Sequence, residues 1–207
     1  MFRDLITSEQ ELRDLFGEPS EVALKKEKSA LNETMRRFIA ASPFVLLATS
    51  SPDGRCDVSP KGDAPGFVAV LDDTHLAIPD RIGNNRVDGH QNVLANGHVG
   101  LIFLIPGRED TLRVNGTACL TRAPELLQSM AVQGKPPKLA IGVEVQECFM
   151  HCAKAFKRSR LWQADPWPTT VTAPSMAEIL METVKPAGMT LADMEQRLEE
   201  GYKTRMY

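Results

Sequence analysis

The sequence lacks a strong charge of either sign. Its 24 Lys and Arg against 27 Asp and Glu leave a net charge of −3. The basic excess that usually marks a dedicated nucleic-acid binder is therefore missing. Long apolar runs are also missing. The longest, Phe44 to Ala48, is far shorter than the roughly 20 residues of a membrane span. The charged opening from Met1 to Asp14 contains no apolar stretch of signal-peptide length. Cysteine is sparse. Cys56, Cys119, Cys148 and Cys152, in a chain without a leader, read as free thiols rather than disulfides. No GxxxxGK[ST], GxGxxG, GxSxG or HExxH occurs, so nucleotide hydrolysis and Rossmann cofactor binding lose their usual support. These absences predict a soluble cytoplasmic protein with neither nucleic acid nor membrane as partner.

What is present is an ordinary globular composition, 43% apolar and 25% charged. A chain of 207 residues can bury about 70% of its unfolded surface, enough for a core without staples. Ser8-x-x-Glu11 has capping-box spacing and precedes Leu12, Leu15 and Phe16, which predicts a first helix. A second helix is predicted from Ser20 through Val22, Leu31, Met35, Phe38 and Ile39 to just before Pro43. The pattern then changes to short strands in hairpin order. Phe44–Ser50 and Cys56–Pro60 flank the turn Ser51-Pro52-Asp53-Gly54. Gly66–Leu71 pairs with His75–Pro79, and Val99–Ile105 with Leu112–Thr121; a further strand spans Leu139–Val145. Short helices fit Arg86–Ala95 and Pro124–Val132. Met176–Val184 and Thr190–Tyr202 read as tail helices behind a Pro-rich linker from Pro166 to Pro174. Such an order argues for an antiparallel barrel or sandwich and against a doubly wound parallel sheet.

Three segments carry more chemistry than barrel connections require. In Asp57-Val58-Ser59-Pro60-Lys61-Gly62-Asp63-Ala64-Pro65-Gly66, glycines and prolines fix the backbone while Ser59, Lys61 and Asp63 offer polar groups. Gly62 would let a planar ligand approach backbone amides; the alternative is a plain connection between hairpins. In Pro79-Asp80-Arg81-Ile82-Gly83-Asn84-Asn85-Arg86, followed by His90 and Asn92, two arginines crowd a strand-to-helix junction. Guanidinium forks and free helix amides suit a phosphate dianion there; the alternative is a solvated turn. The third segment, Cys148 to Trp162, holds Cys-x-x-His-Cys and a basic cluster. A zinc site at Cys148, His151 and Cys152 lacks a second ligand pair at matching spacing. The cluster also lacks the interleaved aromatics of a nucleic-acid platform. His75, His90 and His98 are isolated, and no nucleophile–base–orienter set emerges.

Together and in this order, the S-P-K-G-D stretch, the D-R-x-G-N-N-R stretch and the basic run ending in Leu161-Trp162 resemble the pyridoxamine 5′-phosphate oxidase-like family. The closer resemblance is to its oxidase-related, FMN-binding branch, over roughly Leu31 to Trp162. The resemblance implies a mainly β protein with flanking helices: a six-stranded antiparallel split β-barrel, dimeric, with FMN in the interface between two identical subunits. It implies three regions: 1–42 as N-terminal helices packed on the barrel, 43–165 as the FMN-binding barrel, and 166–207 as linker and helical tail. By position, Asp57, Val58, Ser59, Pro60, Lys61 and Gly62 would line the flavin ring. Arg81, Asn84, Asn85 and Arg86 would take the ribityl chain and phosphate, with Asn92 close by. Lys154, Arg160 and Trp162 would close the site from the partner subunit.

The departures from the true oxidase pattern narrow the implication. The Arg-x-x-x-Leu-Lys stretch on the flavin strand is absent, and Arg158-Ser159-Arg160-Leu161-Trp162 has no histidine where an Arg-x-His would fall. The resemblance thus implies a flavoprotein oxidoreductase that passes a hydride through flavin N5, with a small-molecule or nicotinamide donor, rather than oxidation of pyridoxamine phosphate. The alternatives are a flavin or haem binder without turnover, a redox sensor or carrier, and a dimeric structural or interaction module that uses the tail helices on a partner.

Overall fold

A computed structural model of the chain describes residues 1–163 and 173–207. Seven antiparallel strands form one sheet: β1 (Phe44–Ser50), β2 (Cys56–Gly62), β3 (Ala69–Val70), β4 (His75–Pro79), β5 (His98–Leu104), β6 (Thr111–Thr121) and β7 (Ala140–His151). Their order is β2-β1-β5-β6-β7-β4-β3, so β2 and β3 are edges that do not pair with each other. The sheet curls around a core without closing, which is a split barrel. The three hairpins read from the sequence are present, with β3 reduced to two residues.

The core follows from strand alternation. Val45 and Leu47 of β1, Leu101 and Phe103 of β5, Leu112 and Val114 of β6, and Ile141 and Val143 of β7 all point inward and are fully buried. Each such side chain contributes about 1.5–3 kcal/mol relative to an exposed one. Where β6 meets β7 the register shifts between Asn115 and Gly116. A Cβ on Gly116 would lie 1.9 Å from the Glu144 carbonyl oxygen, so only glycine fits this bulge.

Two expectations change. The helix foreseen from Ser20 to Pro43 is two helices, α2 (Glu21–Lys25) and α3 (Glu33–Ala41), with an extended stretch between them. No apolar residue recurs from Lys25 to Ser29 to continue a buried helical face. The backbone there instead bridges β7, with Lys28 N–H donating to Cys148 O at 3.0 Å and Cys148 N–H to Lys28 O at 2.7 Å. The second change is β7 itself, which runs six residues past Val145 to His151, paired with β6 as far as Thr111. Part of the third sequence segment is therefore strand.

Asn32 caps α3 by accepting from Met35 N–H at 2.9 Å, and Met35, Phe38 and Ile39 pack onto the barrel core. By contrast, α1 (Glu9–Phe16) and α2 bury no residue, and Leu12, Leu15 and Phe16 stand exposed. Between β4 and β5 lies α4 (Asp88–Ala95), between β6 and β7 lies α5 (Pro124–Ser129), and after β7 comes α6 (Lys154–Ser159). The tail forms α7 (Met176–Val184) and α8 (Leu191–Thr204), each started by a capping box, Ser175 with Glu178 and Thr190 with Asp193. The expected linker from Pro166 to Pro174 lies outside the described residues up to position 172. Among the described residues no helix is long and apolar enough to cross a membrane.

Candidate functional site

The period-two alternation of β2 divides the first sequence segment between two faces. Asp57, Ser59 and Lys61 are half-buried, whereas Val58, Pro60 and Gly62 are exposed. Opposite the half-buried face lies the loop from Asp80 to Val87 that joins β4 to α4. Between them is a cleft of about 250 Å³. It is lined by Asp57, Val58, Ser59 and Lys61 on one side, and by Asp80, Arg81, Asn84, Asn85, Arg86 and His90 on the other. Pro60 and Gly62 do not line it. The close neighbours of Gly62 are Phe44 and the Pro43 carbonyl oxygen, at 3.3 and 3.4 Å from where its Cβ would sit.

Asn92 lies beneath the cleft and is buried. Its side-chain amide donates to Thr49 Oγ1 at 3.0 Å and to Asp57 Oδ2 at 2.6 Å. This residue fixes α4 to β1 and β2 and holds the Asp57 carboxylate in place. Lys61 Nζ lies 3.5 Å from Asp80 Oδ1. His90 Nε2 lies 3.2 Å from the same oxygen, but the alignment is too poor for a hydrogen bond, and this buried nitrogen has no other partner.

The two arginines are held differently. Arg81 is mostly buried; its Nε donates to Asp63 Oδ2 at 2.7 Å and its NH1 to the Met130 carbonyl at 3.0 Å. Arg86 is exposed, with Nε donating to Asp88 Oδ2 at 2.7 Å. A guanidinium has five N–H donors, so both retain unused ones beside the cleft. Burial pushes the Asp63 carboxyl up, but the Ala64 amide, the Tyr207 hydroxyl and Arg81 together outweigh it and hold it below its ordinary value.

The loop is conformationally unusual where it enters α4. Asn85 and Val87 both adopt left-handed backbone, with φ of 60° and 57°. For a β-branched residue this costs on the order of 1–3 kcal/mol, and such strain gathers at ligand-binding sites. No side chain caps α4, and its first residues, Asp88, Gly89 and His90, line the cleft with Arg86 and Asn84.

The third sequence segment is elsewhere in the chain. Trp162 Nε1 donates to the Arg108 carbonyl at 2.6 Å and stacks on Phe156, with ring centroids 5.7 Å apart. Lys157 pairs with Glu109 at 2.5 Å. Trp162 and Lys157 thus reach the β5–β6 turn, and none of Lys154, Arg160 and Trp162 lines the cleft of its own chain. Cys148 points into the core toward Lys28 O, Ala30 O and Met35 Sδ, whereas Cys152 is exposed. Their thiols face different environments and do not converge.

Sequence reasoning names Asp63 only as one polar group of its segment, without its partners, and leaves Asp80 and Tyr207 without a role. The first two carry a signal, an acid two positions after Lys61 and another just before Arg81. Tyr207 carries none. Its hydroxyl reaches Asp63 Oδ1 at 2.9 Å across 144 positions of chain.

Comparison with known proteins fits this architecture. Residues 31–152 match the family model of pyridoxamine 5′-phosphate oxidase. No curated protein matches the chain. Among solved structures, a single-residue variant of HupZ from Group A Streptococcus is similar at 20% identity and a TM-score of 0.46, over 58% of this chain and 99% of that one. A candidate pyridoxamine 5′-phosphate oxidase from Lactobacillus delbrueckii is similar at 21% identity and 0.47, over 59% and 95%. An FMN-binding protein from Syntrophomonas wolfei is similar at 10% and 0.44, over 57% and 82%. Identity this low transfers no chemistry from those proteins to this one. The family match covers more than half of the chain, and with the open antiparallel barrel it encloses, the protein belongs to the pyridoxamine 5′-phosphate oxidase family.

Proposed function

We propose that the cleft binds FMN and that the protein is an FMN-dependent oxidoreductase acting as a homodimer. The observation that carries this reading is the junction at Asn84–Asp88, where two left-handed residues, an exposed arginine and an uncapped helix start face the same cleft. Open helix amides and a guanidinium are complementary to a phosphate dianion. Arg86, Asn84 and Asn85 would hold the phosphate and ribityl hydroxyls, with Arg81 behind them. Ser59 and Lys61 would donate to the flavin ring, and the locked Asp57–Asn92 pair would keep β2 in position. FMN bound there supplies two-electron chemistry at N5.

The cleft volume supports the dimer. About 250 Å³ falls below the roughly 300–1,000 Å³ of sites that enclose a ligand of this class. The remaining wall would come from a second copy, whose Lys154, Arg160 and Trp162 are the candidates. A nicotinamide or another small reduced molecule would serve as donor.

The test is the absorbance spectrum of the purified protein, with the released cofactor identified by mass. A two-banded flavin spectrum and the mass of FMN are expected. Arg86→Ala, alone and with Arg81→Ala, should weaken FMN binding at least tenfold while the dimer persists. Unchanged affinity in both variants would remove the phosphate assignment, and a single sharp Soret band would replace flavin with haem.

A further inference from the structure

Outside the flavin cleft, the tail encloses a second cavity against the barrel. It measures about 800 Å³ and lies between α8 and the same loop, sharing Arg81, Gly83, Asn84 and Asn85 with the cleft. Its lining contains three arginines, Arg81, Arg197 and Arg205, and no Asp or Glu, although the whole chain carries a net charge of −3. Asp63 neutralises Arg81. Arg197 and Arg205 have no side-chain hydrogen bond or ion pair among the described residues. The rest of the wall is largely apolar, from Met194, Leu198 and Tyr202.

A glycine within α8 lets the Arg205 guanidinium fold back along the helix toward the turn that carries Arg197, and both line the cavity. Arg197 and Arg205 are eight positions apart, about 12 Å along a helix axis. The Arg205 guanidinium folds back over Gly201, with NH2 2.7 Å from where a Cβ on that residue would lie. Gly201 is one helical turn from Arg197, about 6 Å along the axis. Glycine inside a helix is unfavourable by about 1 kcal/mol relative to alanine, and at position 201 it clears the space the guanidinium occupies.

We infer that this cavity binds a small organic acid, a carboxylate on a ring-sized apolar body, with Arg197 and Arg205 taking the carboxylate and Met194, Leu198 and Tyr202 the body. Because the cavity borders the cleft, such an acid is the substrate class of the proposed oxidoreductase; this last step rests on the flavin reading, whereas the binding itself does not.

Calorimetric titration of the full-length protein with 2-naphthoate and with its neutral analogue 2-naphthamide tests the inference. Naphthoate should bind at least tenfold more tightly than the amide. Arg197→Gln with Arg205→Gln should erase that preference. Gly201→Ala, which favours the helix but displaces the guanidinium, should weaken naphthoate binding severalfold. Equal binding of acid and amide, no binding of naphthoate, or unchanged affinity in the double variant would overturn the site. FMN content is read separately on each protein. A protein without flavin that still binds naphthoate through the two arginines keeps the cavity and refutes only the flavin reading.

Discussion

Tyr207 donates its hydroxyl to Asp63 at 2.9 Å, and the other oxygen of that carboxylate accepts Arg81 Nε at 2.7 Å. One carboxylate thus joins the tail to the arginine behind the candidate cleft. Lys135 adds a second tie, with Nζ 3.3 Å from the Tyr207 carbonyl oxygen. Tyr207→Phe should leave the Asp63–Arg81 pair intact and loosen the tail by about 0.5–1.5 kcal/mol, the usual worth of one hydrogen bond. Hydrogen exchange should then quicken in α8 and stay unchanged in β1 and β5. Equal exchange in both proteins would mean the tyrosine does not tether the tail.

The same contact responds to pH at both extremes. Tyr207 is raised above its ordinary value of 10.0, first by its hydrogen bond to Asp63 and then by that carboxylate's charge. A raised group stabilises the fold fully below its unfolded value, and this contribution is lost as pH climbs through the folded one. The tail should therefore loosen as pH rises above about 10, and the Tyr207→Phe protein should lack that change when exchange in α8 is followed. Asp63 is depressed below 3.8, so its contribution is present above that value and lost as pH falls. Asp63→Asn should flatten the dependence of the urea midpoint between about pH 5 and pH 3.

Asn92 is a support whose replacement separates structure from ligand binding. Asn92→Asp substitutes an acceptor for the donor that serves Thr49 and Asp57 and places two carboxylates in contact. A loss of about 1–3 kcal/mol is expected near neutral pH. Relative to the parent protein, the deficit should shrink as pH enters the carboxylate range, read from denaturant midpoints. A pH-independent deficit would mean the two side chains are not in contact.

Gly116→Ala tests the sheet. The added methyl would meet the Glu144 carbonyl oxygen at 1.9 Å, and backbone atoms cannot yield as a flexible side chain can. A destabilisation of about 3 kcal/mol or more is expected, at the upper end for overpacking. A thermal midpoint within a degree of the parent would show that the β6–β7 register differs at this position.

The cysteines report on the end of β7. Burial raises the Cys148 thiol, with Glu147 adding to it. A hydrogen bond from the Lys154 backbone lowers Cys152, helped by the Lys154 and Lys26 charges. Iodoacetamide at neutral pH should therefore modify Cys152 well before Cys148 in the folded protein, with the difference abolished in denaturant. Simultaneous modification, followed by peptide mass, would contradict a strand running on to His151.

Some elements were legible in the sequence because the groups that specify them are neighbours. Ser51-Pro52-Asp53-Gly54 turns the chain whatever surrounds it, and β1 and β2 pair across it. The capping boxes at Ser8, Ser175 and Thr190 start their helices with bonds that span three residues. The Asp57–Gly62 and Arg81–Arg86 segments stood out for the same reason, as dense local combinations of turn residues and charge. The end of β7 was not legible, because its last residues are held in a strand by β6 and by Lys28 rather than by their own pattern.

The hairpin order, the starts of α1, α7 and α8 and the two polar segments follow from the sequence, since each depends on backbone preferences and hydrogen bonds within a few residues. Which side chains of those segments share a cleft depends instead on long-range packing. Alternation along β2 turned Asp57, Ser59 and Lys61 toward the arginine loop and left Pro60 and Gly62 outside it. Sheet curvature brought β2 opposite α4, and burial assigned Asn92 to support. The contact of Tyr207 with Asp63 depends on where a helical tail comes to rest on a barrel, and no local preference carries that information across 144 positions.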